Sequence, residues 1–174
     1  LNELYDFPFG ENELKQMAID IGCDVPFFLQ DGPAVVLGRG EKVEIERPFE
    51  ALQGRGVLLI HPGFGVSTPW AYRSLNMSNE TSGEERQIEA ALDSLRKGEF
   101  SCLFNSFEKP VFEKHLILSV LKEFLLRHGA IGALMSGSGS TTFAVTEDVL
   151  VAESLRSKFH QEFGQAWWSE AVSL

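Results

Sequence analysis

Apolar residues first recur at Leu14, Met17, Ala18 and Ile21, the i, i+3, i+4, i+7 spacing of one helix face. Gly22 stands where a helix C′ glycine belongs. Ala34 to Leu37 and Lys42 to Glu46 read as strands, with Val43 and Ile45 alternating, and Gly38-Arg39-Gly40 between them predicts a hairpin. Val57-Leu58-Leu59-Ile60 is a continuous apolar run, the pattern of a buried strand. Thr68 followed by Pro69 predicts a capped helix start with proline at N1. Asn76 to Gly83 is polar and reads as an exposed, mobile loop. Ser82 and Glu85 then form a capping box for a helix whose face is Ile88, Ala91, Leu92 and Leu95, ended by Gly98.

The second half is denser in apolar residues. Phe100 to Phe112 is rich in phenylalanine and interrupted by Pro110, which predicts helical turns packed on a core. Asn105 and Glu108 are polar positions inside it, read as structural. Ile117, Val120, Leu121 and Phe124 predict another helix face, closed by Gly129. Gly132 to Met135 and Thr141 to Val145 read as strands on either side of Ser136-Gly137-Ser138-Gly139-Ser140, a run with nothing that builds a core. Val151, Leu155 and Phe159 mark a helix ended by Gly164, and Gln165 to Val172 a final strand. The order helix, helix, strand, loop, strand, helix, strand predicts an α+β fold with an antiparallel sheet. No repeat, low-complexity tract or heptad interrupts it.

Composition narrows the class. With 174 residues and 44% hydrophobic content, the chain has enough apolar material for a true core. A net charge of −10 argues against a nucleic-acid partner. It leaves an anionic ligand open, because local N–H groups and Mg²⁺ can hold phosphate. Cys23 and Cys102 are too few for a disulfide framework, which points to a reducing compartment. No signal peptide and no apolar run near 18 residues is present, so a soluble, cytoplasmic protein with no membrane partner is expected. The chain starts at Leu1, and Asn2 to Tyr5 resembles the tail of a helix. A longer parent protein is therefore expected.

The candidate chemistry lies in three stretches. In the serine-glycine loop, glycine lets backbone N–H groups approach an anion, and serine adds hydroxyl donors. A strand follows it rather than a helix, and no Lys stands in it, so it is neither a Rossmann nor a Walker loop. It is either an anion-holding hairpin loop or a flexible turn. A side chain at Gly139 is expected to block the anion while leaving the fold intact. Asp24 follows a helix end and precedes Val25-Pro26-Phe27-Phe28, where buried aromatics are expected to hold it. It reads as a cap for the next turn or as a positioned base. Trp70 and Tyr72 read as packing residues or as a flat face for a ligand ring. His61, at a strand end, is assigned no role.

Three ordered stretches go further: Gly-Cys-Asp-Val-Pro-Phe-Phe, Val-Ser-Thr-Pro-Trp-Ala-Tyr and Met-Ser-Gly-Ser-Gly-Ser-Thr-Thr-Phe. Together the chain resembles the GHMP small-molecule kinase superfamily over essentially its whole length. It is most similar to the branch that phosphorylates a cytidine diphosphate compound of non-mevalonate isoprenoid synthesis. Asn105, Phe107, Glu108, Pro110, Val111 and Phe112 are similar to a helical segment of that branch. The resemblance implies a two-domain kinase using ATP and Mg²⁺. Residues 1–64 would end its N-terminal, ATP-binding domain and residues 65–174 would form its C-terminal domain. It implies Asp24 as the base that takes the proton from the substrate hydroxyl. It places Thr68 beside the substrate and Tyr72 against the cytosine ring. It places Gly137, Ser138, Gly139 and Ser140 near phosphates. No side chain is assigned to a metal.

Two family features are not found in these residues: an N-terminal lysine near the aspartate, and a glycine-serine loop that wraps the ATP phosphates. The chain is therefore read as the C-terminal portion of such a kinase, with little activity alone. Other readings are a GHMP kinase for mevalonate derivatives or homoserine, and a silent module that binds an anion.

Overall fold

The computed structural model describes residues 2–38, 40, 42–75 and 81–174, with the backbone alone for 81–86. Arg39 of the hairpin turn, most of the expected loop at 76–83 and the Ser82–Glu85 side-chain pair lie outside the described residues. The chain forms two compact units, Leu1–Pro48 and Phe49–Leu174.

The first unit carries a 3-10 turn at Glu3–Tyr5, helix α1 at Glu11–Ile21 and a 3-10 turn at Val25–Leu29. A hairpin of β1 (Ala34–Leu37) and β2 (Lys42–Ile45) follows, with Val36 opposite Val43. The Glu13 carboxylate accepts the Gly10 N–H at 2.9 Å and satisfies one free donor at the start of α1. Gly22 closes the helix with its N–H on the Ala18 carbonyl. Its φ of 172° is extended backbone, so it ends the helix without a left-handed turn. The predicted apolar face is only partly used: Ala18 is buried, while Met17 and Ile21 stay exposed. The expected burial of both phenylalanines is also corrected. Phe27 is half-buried and Phe28 is 76% exposed, and Pro26 is the residue that packs inside.

The second unit is built on a four-stranded antiparallel sheet in the order β4-β5-β3-β6. Its strands are β3 (Gly56–His61), β4 (Gly132–Met135), β5 (Thr142–Thr146) and β6 (Trp168–Ser173). The apolar run at 57–60 lies between two neighbours, with Leu59 opposite Phe143 on one side and Glu170 on the other. Leu58 and Ile60 alternate inward to meet helices α5 (Leu116–Arg127) and α6 (Val149–Phe163). Asp148 caps α6 by accepting the Val151 N–H at 2.8 Å. Among the described residues no helix is long and apolar enough to cross a membrane, and both cysteines are free.

Four details differ from the sequence reading. On α5 the core face is Leu118, Leu121 and Leu125, while Ile117 and Val120 are exposed. The helix is apolar around most of its circumference, so its periodicity does not choose the side. Helix α2 (Thr68–Ser74) has Ser67 at its N-cap, one residue ahead of the expected Thr68. Helix α3 (Thr81–Arg96) includes Ser82 and Gly83, which the sequence pattern places before it. Pro110 lies in the first turn of α4 (Glu108–Lys114) and does not break it, because a first-turn N–H has no helical acceptor to lose.

Candidate functional site

The serine-glycine loop joins β4 to β5, closed by the Ser136 N–H on the Thr141 carbonyl at 2.8 Å. Inside it the Gly139 N–H donates to the Ser136 carbonyl at 3.0 Å. Gly137 and Gly139 have φ of 54° and 91°, and the Gly139–Ser140 peptide is cis. Side-chain-bearing residues rarely hold such positive φ, so both positions favour glycine. Among the described residues, the N–H groups of Gly137, Ser138 and Ser140 have no protein acceptor. Unpaired donors on so short a loop are suited to an anion.

The neighbours of the loop correct two expectations. Ser140 belongs to a run expected to stay out of the core, yet it is 1% exposed and its hydroxyl donates to the Phe64 carbonyl. Burial leaves Ser140 as an anchor of the loop, and the unpaired donors nearer its surface are the N–H groups of Gly137 and Ser138. A Cβ on Gly139 would lie 2.6 Å from the Met135 sulfur, which is itself buried. Glycine there is demanded by packing as well as by φ. A Cβ on Gly137 meets nothing within 4 Å.

Thr68, the first residue of α2, brings its hydroxyl to 2.9 Å from that of Ser138. Tyr72 lies one turn further along. The residue is 57% exposed, and its ring stands edge to face with that of Phe107, with centroids 4.9 Å apart at 79°. Trp70 is turned the other way. It packs on the cluster of Val111, Leu118 and Met135, and the Lys114 ammonium lies 3.9 Å over its ring. Of the two aromatics, Tyr72 presents the open surface. His61 accepts the Gly63 N–H at 3.1 Å and shapes the turn after β3.

Asn105 and Glu108 hold the loop from below. The Asn105 amide nitrogen donates to the carbonyls of Met135, at 2.7 Å, and Gly137, at 2.8 Å. Its oxygen accepts the Phe107 N–H at 2.9 Å. One Glu108 oxygen accepts the Met135 N–H at 2.9 Å, and the other pairs with Lys122 at 2.6 Å. The sequence marks both as polar positions in an apolar run, and such groups need partners when buried; it does not show that the partner is the loop. An open groove of about 440 Å³ runs beside this anchor, between Phe104, Phe107, Ser136 and Gly137.

Asp24 belongs to the first unit. It is exposed, has helical φ and ψ, and makes no side-chain capping bond to the turn at Val25–Leu29. Asp24 lies inside the preceding turn, which the Val25 N–H closes on the Gly22 carbonyl at 3.1 Å. The capping reading of Asp24 is therefore corrected, and its carboxylate makes no bond to the protein among the described residues. Those residues contain no group of three His, Cys, Asp or Glu side chains able to hold a metal ion.

Known proteins are similar to this chain in sequence and in fold. Residues 86–165 match the family model of the GHMP kinases C terminal. A 4-diphosphocytidyl-2-C-methyl-D-erythritol kinase of Clostridium novyi (strain NT) is 30% identical over 174 residues, 99% of this chain and 61% of that protein. A kinase of the same name from Pelotomaculum thermopropionicum is 33% identical over 165 residues, 92% of this chain and 56% of that protein. Among solved structures, a 4-(cytidine 5'-diphospho)-2C-methyl-D-erythritol kinase superposes with a TM-score of 0.74 at 26% identity, covering 100% of this chain and 61% of that one. The α+β fold of the chain is that of the GHMP kinases, and the chain spans about 61% of the length of the Clostridium novyi relative.

Proposed function

We propose that this chain is part of a cytoplasmic kinase of non-mevalonate isoprenoid synthesis. The reaction is transfer of the γ-phosphoryl group of ATP to the 2-hydroxyl of 4-diphosphocytidyl-2-C-methyl-D-erythritol. The observation that carries this reading is the Thr68–Ser138 hydroxyl contact. It joins the stretch the family uses for substrate to the loop it uses near phosphate. Whole-chain identity to kinases of that name supports the choice of substrate. In family terms, residues 1–64 end the ATP-binding domain and 65–174 form the C-terminal domain, although β3 completes the sheet of the second compact unit.

Each residue then has a distinct task. Tyr72 offers its exposed ring to the cytosine, and Thr68 lies one turn away on the same helix. The unpaired N–H groups of Gly137 and Ser138 fit phosphate oxygens, while the buried Ser140 and the turn at Gly139 shape the loop that presents them. Asp24 accepts the proton as the substrate oxygen bonds to phosphorus and the bond to the ADP oxygen breaks. Mg²⁺ neutralises phosphate charge in such reactions and is met by one or two carboxylates besides the phosphates themselves; no side chain here is assigned to it.

The test is phosphorylation by the full-length protein of three alcohols: the cytidine diphosphate compound, homoserine and mevalonate. Phosphorus NMR should show a new phosphomonoester on the first alone. Turnover of another alcohol would move the protein to a different GHMP activity. Phosphate binding without turnover of any would leave an anion-binding module.

A further inference from the structure

The Asn105 side chain makes three hydrogen bonds with two different outcomes. Its nitrogen donates to the Met135 and Gly137 carbonyls, which lie in and next to the loop. Carbonyl oxygens repel phosphate, and an amide donor occupies them. The neighbouring N–H groups of Gly137, Ser138 and Ser140 remain without protein acceptors among the described residues. Its oxygen fixes the Phe107 N–H, and the Phe107 ring supports Tyr72 edge to face. One amide thus reaches both the donor loop and the aromatic platform.

We propose that Asn105 is a positioning residue that keys the serine-glycine loop to the Tyr72–Phe107 platform. It sets the spacing between a bound ring and a bound phosphate. The ligand assignment rests on the kinase reading, and the tether rests on the hydrogen bonds alone. An amide is the side chain this task requires, since it donates two bonds through nitrogen while accepting through oxygen. Glu108 steadies the same loop through the Met135 N–H but donates nothing to it when ionised.

Asn105→Asp separates the two tasks in the full-length protein. Aspartate keeps an acceptor for the Phe107 N–H and loses both donors to the loop. KM for ATP should rise about tenfold, the scale of losing two hydrogen bonds, while binding of cytidine 5'-diphosphate stays within about twofold. Amide exchange at Gly139 should accelerate, and exchange at Phe107 should not. Asn105→Ala loses every bond, so both ligands should weaken and both amides should exchange faster. Unchanged exchange at Gly139 in either variant overturns the tether. Equal weakening of both ligands in Asn105→Asp overturns the division of tasks. If wild type binds neither ligand, the kinase reading fails, and the exchange rates still decide whether Asn105 tethers the loop. Should Asn105→Asp not fold, exchange at Gly139 in Asn105→Ala decides the tether in its place.

Discussion

Thr68 and Ser138 stand seventy residues apart in the chain and meet hydroxyl to hydroxyl at 2.9 Å. Thr68→Val keeps the shape of the side chain and removes the contact. The pair is exposed, so water replaces part of what is lost. Denaturant unfolding should show a loss of about 0.5–1 kcal/mol, the low end for a neutral hydrogen bond. Thr68→Ser should restore it. A Val variant as stable as wild type would mean that the contact contributes nothing to the fold.

Tyr72 is the exposed aromatic of α2, set nearly perpendicular to the Phe107 ring. Tyr72→Ala should weaken cytidine 5'-diphosphate binding by roughly 1–3 kcal/mol, a typical loss of base stacking. ATP affinity should hold. Calorimetric titration giving equal cytidine affinity for both proteins would remove Tyr72 from the substrate site.

Asp24 makes no capping bond, so its role and its stability effect separate. Asp24→Asn keeps the size and cannot take a proton. In the full-length protein kcat should fall roughly 10²–10⁴-fold, the range for loss of a general base, with an unchanged melting temperature. Full turnover in this variant would end the proposal that Asp24 is the base.

The two loop glycines respond differently to a side chain. At Gly139, valine meets the Met135 sulfur and is strained by a φ of 91°. Gly139→Val should cost around 3 kcal/mol from strain and overpacking together, read as a lowered unfolding midpoint. It is therefore a poor probe of phosphate approach. Gly137→Ala has open space and a φ of 54°. It should cost only about 1 kcal/mol, so an activity loss well beyond that points to the ligand.

The first unit contrasts with the second in burial. Among its described residues only Ala18, Pro26 and Gly40 are buried. A peptide of residues 1–48 should show little helix by circular dichroism and no cooperative melt, because the burial needed to offset chain entropy is missing. Residues 49–174, which contain the Leu58–Phe159 core, should melt cooperatively. A cooperative transition in the short peptide would overturn this.

Most elements of the fold are legible in local sequence. Spacing of apolar residues placed α1, α6, the β1–β2 hairpin and β3 within a few residues. The serine-glycine run between two strand-forming stretches located the loop, and the glycines near 22, 98, 129 and 164 marked helix ends. These signals are local, because propensity, capping and periodicity act over one or two turns.

Long-range packing alone selects the face of α5 that enters the core. Leu116–Arg127 is apolar around most of its surface, and the sheet beneath selects Leu118, Leu121 and Leu125. It also decided that Tyr72 faces outward while Trp70 packs inward, although both lie on α2. The bonds from Asn105 to Gly137 and from Thr68 to Ser138 span 32 and 70 residues. No local pattern encodes them, since a polar side chain in an apolar run declares that it needs a partner without naming one. Which partner it finds depends on where the sheet and helices bring distant backbone, and that is fixed only when the core closes.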